Sequence, residues 1–384
     1  MDRCCSSRLL FLHASLIGVL LPILCYGHCN FPAIFNFGDS SSDTGAIHFI
    51  FPNNELAENS PYGRTYFGKP VNRYCDGRLS IDFFATALGM PFLSPYLQSV
   101  DSSFGHGANF AAAGATAVSV DSFIAPIDLT VQINQFKVFK QQVLNTIKKH
   151  GAQSYLPSAD AFDKGIYILE IGGNDFSYGY KNLKQSPGQV KQSILPKVAK
   201  SVAAAVKELY NEGARTILVK DVGPQGCQPF WLTYFGHSSN DFDSHGCSIS
   251  YNDAVRYYNG LLKGQVGSLR GQLKGANVIY VNTYDILYDF IANPSRYGFK
   301  QTTRACCGVG GKYNYDYAVQ CGISGTIAGH PVKAVSCAYP ETYVNWDGVH
   351  WTDRANRILT KQILGGKYFE PAFSIASQCD IHSI

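Results

Sequence analysis

Short apolar runs alternate with segments of helical periodicity along the chain. The apolar runs that predict strands are residues 33–37, 107–111, 166–171, 216–219 and 278–281. Apolar side chains recur at helical spacing in residues 80–88, 190–209, 252–269 and 353–364. Strands and helices that alternate in this way predict an α/β protein.

The predicted strands are apolar along nearly their whole length. Such strands are typical of a parallel sheet that helices cover on both faces. No internal repeat, low-complexity tract or long linker divides the sequence, so we expect a single domain with large loop insertions. Ligands of such sheets bind beyond the carboxyl ends of the strands, and candidate chemistry is therefore sought there.

The amino-terminal segment differs from the rest of the chain. Two arginines precede a mostly apolar run over residues 9–24, and Gly27 supplies a small residue before a cleavage point. This layout is typical of a secretory signal peptide. A membrane anchor is the alternative, but Pro22 interrupts the run, which is shorter than the ~18–20 apolar residues of a span. We expect residues 1–27 to be a signal peptide and residues 28–384 to be the functional domain.

Secretion changes what the cysteines indicate. Nine of the 12 cysteines follow residue 27, and an odd number leaves at least one free thiol or an intermolecular bridge. None has zinc-finger spacing, so disulfides are expected rather than a metal site. Disulfides suit the secretory pathway, with the apoplast or the vacuole as the destination. The pairing stays open at this point.

Composition narrows the class of partner. Hydrophobic residues make up 46% of the chain and charged residues 16%, which favours a packed globular protein over a disordered one. The net charge of +4 is too small to favour binding to nucleic acid. The sequence has no P-loop, dinucleotide-binding, zinc-protease or nucleophile-elbow motif. We therefore expect no cofactor, no metal and no stable membrane anchor.

Polar side chains with catalytic potential follow the predicted strands. Ser40 follows the first strand, Gly114 the second and Asn174 the third, whereas Asp347 and His350 precede the last helix. Each alone is usually a helix cap, a turn residue or a surface group. Together they supply a hydroxyl, an imidazole, a carboxylate and hydrogen-bond donors to one edge of a sheet, which indicates nucleophilic catalysis.

Four blocks of sequence resemble a known family. They are residues 37–45 (FGDSSSDTG), 109–115 (NFAAAGA), 171–175 (IGGND) and 346–350 (WDGVH). In this order they resemble the signature blocks of the plant GDSL esterase/lipases, in the SGNH hydrolase superfamily. The resemblance covers about residues 30–365. Ser41 stands where the family name has Leu, and Ala46 stands where many members have Asn or Gly.

The resemblance implies a fold and a set of roles. The fold is a three-layer α/β/α arrangement around a mostly five-stranded parallel sheet of the flavodoxin-like type. Ser40 is the implied nucleophile, His350 the general base, and Asp347 the residue that orients it. The implied oxyanion hole consists of the backbone N–H groups of Ser40 and Gly114 and the side chain of Asn174. Two other acids are expected to be structural, Asp43 as a helix cap and Asp175 as a hydrogen-bond acceptor.

Three functions are compatible with these residues. The first is a secreted esterase or lipase that hydrolyses a small-molecule ester through an acyl-enzyme. The second is an acyltransferase that uses the same triad to move a hydroxycinnamoyl or acetyl group to an alcohol. The third is a non-catalytic binding protein, which the intact set of Ser40, Asp347 and His350 disfavours. The acyl group, the alcohol and the oligomeric state stay open.

Overall fold

A computed structural model describes residues 28–120, 127–235 and 238–384 of the chain. The expected signal peptide, residues 1–27, lies outside the described residues. The strands are β1 Ile34–Gly38, β2 Gly107–Asn109, β3 Ile166–Glu170, β4 Thr216–Lys220, β5 Asn277–Val281, β6 Gln301–Ala305, β7 Cys307–Gly308, β8 Ser324–Ile327, β9 His330–Lys333, β10 Val335–Ser336, β11 Tyr343–Asn345 and β12 Phe369–Glu370.

Helices connect the strands. They are α1 Ala46–Ile50, α2 Ser80–Ala87, α3 Leu129–His150, α4 Ala161–Lys164, α5 Gly173–Ser177, α6 Pro187–Ser193, α7 Leu195–Asn211, α8 Pro229–Tyr234, α9 Ile249–Gln272, α10 Thr283–Ala292, α11 Pro294–Tyr297 and α12 Asp353–Leu364. Short helical turns lie at Leu56–Glu58, Tyr178–Asn182, Gln225–Cys227 and Pro340–Thr342.

The central sheet has six strands in the order β12-β5-β4-β3-β1-β2. Strands β1 to β5 are parallel, and the order 2-1-3-4-5 is that of flavodoxin-like folds. The prediction of a mostly five-stranded parallel sheet is confirmed. The sixth strand, β12, pairs antiparallel with β5 at the edge. It was not predicted, because two residues are too few to show a strand pattern.

Alternate residues of the parallel strands enter two separate cores. Phe35 and Tyr167 lie on one face with α3, α7 and α9, and Ile34, Ile168 and Leu218 lie on the other with α2, α10 and α12. All five side chains are buried, and burial of each stabilises the fold by about 1.5–3 kcal/mol. Apolar side chains on both faces require a helical layer on each side, so the three-layer α/β/α prediction is confirmed.

The helices differ in part from the sequence-based expectation. The predicted single helix over 190–209 is wrong, because the chain breaks at Ile194 between α6 and α7. Pro196 lies in the first turn of α7, where its missing N–H cannot continue an earlier helix. Helix α3 was missed altogether. It buries apolar residues at helical spacing, among them Leu129, Ile133 and Phe136, but Val131 and Val138 are exposed on its other faces, which blurs the apolar pattern in the sequence.

Four disulfides crosslink the described residues. They join Cys29 to Cys379, Cys227 to Cys247, Cys306 to Cys337 and Cys307 to Cys321. Cys75 is a buried free thiol, so the inference of at least one unpaired cysteine is confirmed. No helix in the described ranges is both long enough and apolar enough to cross a bilayer.

Candidate active site

Ser40 lies in a tight turn directly after β1. The carbonyl of Asp39 accepts hydrogen bonds from the N–H groups of Ser42 (3.1 Å) and Asp43 (3.0 Å). The Asp43 carboxylate accepts three N–H groups at the start of α1, at 2.6 to 3.1 Å, and therefore caps this helix as expected. Because backbone and side-chain bonds close the turn on both sides, the position of Ser40 relative to β1 is fixed.

Buried polar contacts hold the end of β1 itself. The amide of Gln132, from α3, accepts from the N–H of Gly38 (2.9 Å) and donates to its carbonyl (2.8 Å). Asn36 donates to Ser42 Oγ (3.0 Å) and to Asn109 Oδ1 (2.7 Å). A buried polar group without a partner destabilises the fold, so these matched pairs also fix which strand ends meet. Sequence reasoning missed Gln132, because it missed the whole of α3.

Asp347 and His350 lie on the loop between β11 and α12. The carboxylate oxygen Oδ1 of Asp347 accepts from the backbone N–H groups of Val349 (3.0 Å) and His350 (2.8 Å). Gly348 has a φ of 108°, and a Cβ built there would lie 2.1 Å from the ring of Tyr315. Only glycine fits this position, which explains the glycine between the acid and the histidine.

The structure brings Ser40, His350 and Asp347 into one hydrogen-bonded row. His350 Nε2 lies 2.8 Å from Ser40 Oγ, and His350 Nδ1 lies 2.7 Å from Asp347 Oδ2. Burial alone would raise the pKa of Asp347, but His350 and the backbone donors hold it below its ordinary value. An ionised Asp347 accepts the Nδ1–H of the ring and leaves Nε2 as the acceptor toward Ser40.

Two tyrosines contact this row. The hydroxyl of Tyr62 donates to Asp347 Oδ2 at 2.9 Å, and the ring of Tyr74 lies 4.9 Å from the His350 ring, centroid to centroid. Tyr74 is anchored in turn by a hydrogen bond from its hydroxyl to Glu55. Neither tyrosine was singled out in the sequence, because nothing in its local pattern marks it.

Three hydrogen-bond donors lie in the same cavity as His350. The N–H groups of Ser40 and Gly114 donate to no other residue within the described ranges. Gly114 has a φ of 79°, a conformation that favours glycine. One N–H of the Asn174 amide donates to the carbonyl of Ala115 at 2.9 Å, which fixes the amide and leaves its second N–H for a ligand. All three residues line the cavity.

The cavity has a volume of about 430 Å³ and opens at the carboxyl edge of the sheet. Its wall combines polar groups with aromatic rings, among them Phe230, Trp231, Tyr315, Tyr317 and Trp351. A pocket of this size accommodates a small molecule, and aromatic walls favour an apolar or planar group.

Buried carboxyl groups surround the site. Burial raises the pKa of Asp39 to about 6 and that of Asp175 to about 7. Asp175 accepts from the N–H groups of Ala117 (2.8 Å) and Val118 (3.1 Å), so the structural role expected for it is confirmed. Glu170 pairs with Lys220 at the ends of β3 and β4. No group of three or more histidine, cysteine or acidic side chains is placed to hold a metal in the part of the chain described.

The fold and these contacts define a class of protein. It is a three-layer α/β protein in which a serine, a histidine and an aspartate form one hydrogen-bonded row at the carboxyl edge of a parallel sheet. The family model described as GDSL-like lipase/acylhydrolase matches residues 34–363. The chain therefore belongs to this family of carboxylic-ester hydrolases, and the resemblance seen in the four sequence blocks is confirmed.

Plant proteins are similar over nearly the whole chain. GDSL esterase/lipase At4g01130 of Arabidopsis thaliana is 43% identical and covers 94% of this chain and 96% of its own. GDSL esterase/lipase ENOD8 of Medicago truncatula is 39% identical, with coverages of 93% and 92%. Alpha-L-fucosidase 3 of Arabidopsis thaliana is 38% identical, with coverages of 92% and 95%.

Proposed function

We propose that this protein is a secreted serine esterase that hydrolyses carboxylic esters through an acyl-enzyme on Ser40. The observation that carries the proposal is the 2.8 Å contact between Ser40 Oγ and His350 Nε2. A serine hydroxyl becomes an effective nucleophile only when a base within about 2.6–3.2 Å takes its proton. The contact meets this requirement without any movement of the chain.

The proposed reaction has two half-reactions. Ser40 Oγ attacks the ester carbonyl while His350 Nε2 takes the hydroxyl proton, and the imidazolium is stabilised by Asp347. The oxyanion accepts hydrogen bonds from the N–H groups of Ser40 and Gly114 and from Asn174. The C–O bond then breaks, and His350 returns the proton to the departing alcohol. A water molecule next attacks the acyl-enzyme by the same route, which releases the acid and restores Ser40.

Cavity size supports a preference among esters. A cavity of about 430 Å³ holds a short acyl chain or one aromatic ring with its alcohol, but not several long fatty-acyl chains. The rings of Phe230, Trp231 and Tyr315 line it and suit a planar acyl group. We therefore propose acetyl to medium-chain or aromatic esters as substrates, in preference to long-chain lipids.

Two assays on the purified protein test the proposal. A serine-directed phosphonate should modify the peptide that contains Ser40, and nitrophenyl esters of increasing chain length should be cleaved fastest at short lengths. The same esters with added acceptor alcohols distinguish hydrolysis from acyl transfer, because transfer yields a new ester instead of the free acid. A nitrophenyl α-L-fucoside belongs in the panel because one relative is named a fucosidase. No labelling of Ser40 and no ester cleavage would overturn the proposal.

Asn174→Ala tests the proposed oxyanion hole. The variant removes one donor and leaves the Ser40–His350 contact in place, so we expect kcat to fall by about 10²–10³ with little change in KM. Asn174→Asp keeps the shape of the side chain but cannot donate a hydrogen bond when ionised. Its kcat should therefore fall by the same factor. The control is Asn134→Ala, an exposed residue on α3, which should keep full activity. Equal activity of Asn174→Ala and the control would remove Asn174 from the oxyanion hole.

The disulfide between Cys306 and Cys337 offers a test of the loop that carries Asp347. The N–H of Cys306 donates to the carbonyl of Asn345 at 3.1 Å, and the N–H of Cys307 donates to the carbonyl of Trp346 at 2.7 Å. Both acceptors directly precede Asp347 in the chain. Replacement of Cys306 and Cys337 by alanine should lower the free energy of unfolding by about 2–4 kcal/mol in urea. It should also lower kcat, because the segment around Cys306, which is hydrogen-bonded to the end of β11, is then no longer fixed by a disulfide.

The matched control for that experiment is the double replacement of Cys29 and Cys379 by alanine. This disulfide joins the two ends of the described chain, and neither cysteine lines the cavity. Because this bridge closes the longer loop, we expect at least as large a loss of stability, with unchanged kcat at a temperature where both variants are folded. If the two double variants have equal kcat, the Cys306–Cys337 bridge does not support the site.

The proposal of secretion rests on the amino-terminal segment and the disulfides. Residues 1–27 have the layout of a signal peptide, and four disulfides suit an oxidising compartment. The test is mass spectrometry of the amino-terminal peptide of the protein exported by plant cells. A peptide that begins at His28 supports cleavage after Gly27, and one that retains residues 1–27 contradicts it.

A further inference from the structure

Among the described residues, the side chains of His350 and Tyr62 are the two that form hydrogen bonds with the Asp347 carboxylate. Its hydroxyl donates at 2.9 Å to Oδ2, the same oxygen that accepts from the His350 ring. Tyr62 is only 1% exposed and does not line the cavity. Any effect it has on a substrate must therefore pass through Asp347.

The hydrogen bonds at Asp347 are complete. Oδ1 accepts the N–H groups of Val349 and His350, and Oδ2 accepts the imidazole N–H of His350 and the hydroxyl of Tyr62. A carboxylate has about four acceptor positions, so these donors occupy all of them. Rotation of the carboxylate away from the imidazole would break the bond from Tyr62, and the buried hydroxyl would lose its partner.

Tyr62 is itself held by aromatic neighbours. Its ring packs edge-to-face on Trp346, with centroids 5.9 Å apart, and on Tyr74, with centroids 6.0 Å apart. Its backbone N–H donates to the carbonyl of Asn59 at 3.1 Å. Burial and the neighbouring Asp347 charge raise the pKa of Tyr62, so the hydroxyl stays a neutral donor throughout the working pH range.

We propose that Tyr62 is a positioning residue that locks the Asp347 carboxylate in the orientation in which it holds His350. This inference rests on the proposed function, because it assumes that Asp347 orients the general base. It adds a residue 285 positions away in sequence whose hydroxyl acts on the reaction only through Asp347. Tyr62 also weakens the pull of the carboxylate on the imidazolium, because it shares the negative charge of Oδ2.

The test is a double-mutant cycle in the full-length protein. Tyr62→Phe keeps the ring and its contacts, so the variant should fold, and we expect kcat to fall by on the order of tenfold with KM unchanged. In the Asp347→Ala background the same substitution should lower kcat no further. Tyr167→Phe is the matched control, because it removes a buried hydroxyl that donates to the carbonyl of Phe162 at 2.6 Å, away from the cavity. Melting temperatures show whether the variants are equally folded.

The pH profile supplies a readout that a purely structural role would not change. The ionisable groups that face His350 and Asp347 are Asp39, Tyr74 with Glu55, Tyr315 and Tyr62 itself. Only Tyr62 changes in the variant. Loss of the Tyr62 hydroxyl changes the hydrogen bonding of the Asp347 carboxylate, so the pH profile of kcat/KM should change in Tyr62→Phe and not in Tyr167→Phe.

The outcomes separate this inference from the proposed function. If Asp347→Ala lowers kcat but Tyr62→Phe does not, or if Tyr62→Phe lowers kcat equally in both backgrounds, Tyr62 does not act through Asp347. The proposed function would then stand without it. If Asp347→Ala leaves kcat unchanged, both the role of Asp347 and the inference about Tyr62 are overturned.

Discussion

Replacement of Ser40 by alanine is expected to lower kcat for a short-chain ester by on the order of 10⁴–10⁶. The reason is that no other side chain takes over the covalent step, since the attacking atom must lie within reach of His350 Nε2, and Ser40 Oγ does so at 2.8 Å. The residual rate should come from the cavity and its oxyanion donors, which still bind and polarise the ester. Stopped assays at high enzyme concentration measure a loss of this size.

The control for Ser40→Ala is Ser268→Ala, an exposed position on α9 that does not line the cavity. The control should keep the activity and the phosphonate labelling of the natural protein, whereas Ser40→Ala should lose both. Melting temperatures should agree within a few degrees, because a small, partly exposed hydroxyl contributes little to stability. Near-full turnover by Ser40→Ala would end the proposal of a serine esterase.

Most of the central sheet could be predicted from the sequence. Strands β1, β3, β4 and β5 are five-residue segments that are mostly apolar, and the sequence locates each to within one or two residues. Most of their side chains are buried on both faces of the sheet, so apolar residues predominate in each strand and set it apart from the neighbouring loops. Strand β12 has two residues and gives no such signal.

The break between α6 and α7 shows where periodicity alone fails. Val190 lies before the break and Val198 after it, and both are buried in the same core. Their separation of eight residues matches the spacing of one continuous helix. The pattern of burial therefore continues through Ile194 although the hydrogen bonding does not. Pro196 was the available signal, because a proline in that position is typical of the first turn of a helix.

The candidate site was only partly accessible to sequence reasoning. Ser40 and His350 were selected because they follow strand ends or precede a helix and lie in family-like blocks, and the fold brings them together across 310 residues. Gln132 and Tyr62 were not selected. Each acts through one hydrogen bond or one pair of bonds to a residue distant in sequence, and local sequence patterns carry no information on such contacts.

Buried polar contacts account for much of what the sequence did not reveal. The end of β1 is fixed by amide groups of Asn36, Asn109 and Gln132, each fully buried. In a sequence such residues interrupt an apolar pattern. Their contribution to stability can be recognised only when both partners of each hydrogen bond are known. Here they hold the end of β1, directly before the Ser40 turn, against β2 and helix α3, which positions the Ser40 hydroxyl for His350.

His350 carries the second large expected effect. In His350→Ala and in His350→Gln, kcat should fall by on the order of 10⁴–10⁶, comparable to the loss in Ser40→Ala, because the two residues act as a unit. His350→Gln is the sharper variant. Its amide can still form a hydrogen bond with Ser40 but cannot take up a proton, so it separates proton transfer from simple positioning of the hydroxyl.

Phosphonate labelling extends the test of His350 beyond turnover. Ser40 keeps its hydroxyl in His350→Gln, yet labelling should slow together with turnover, since both need the hydroxyl proton to be removed. The control is His106→Gln, because His106 is exposed and its ring nitrogen lies 3.3 Å from the carbonyl of Pro32, outside the cavity. Should His350→Gln retain more than about a tenth of the natural kcat, another group must accept the proton, and the general base would have to be sought elsewhere in the cavity.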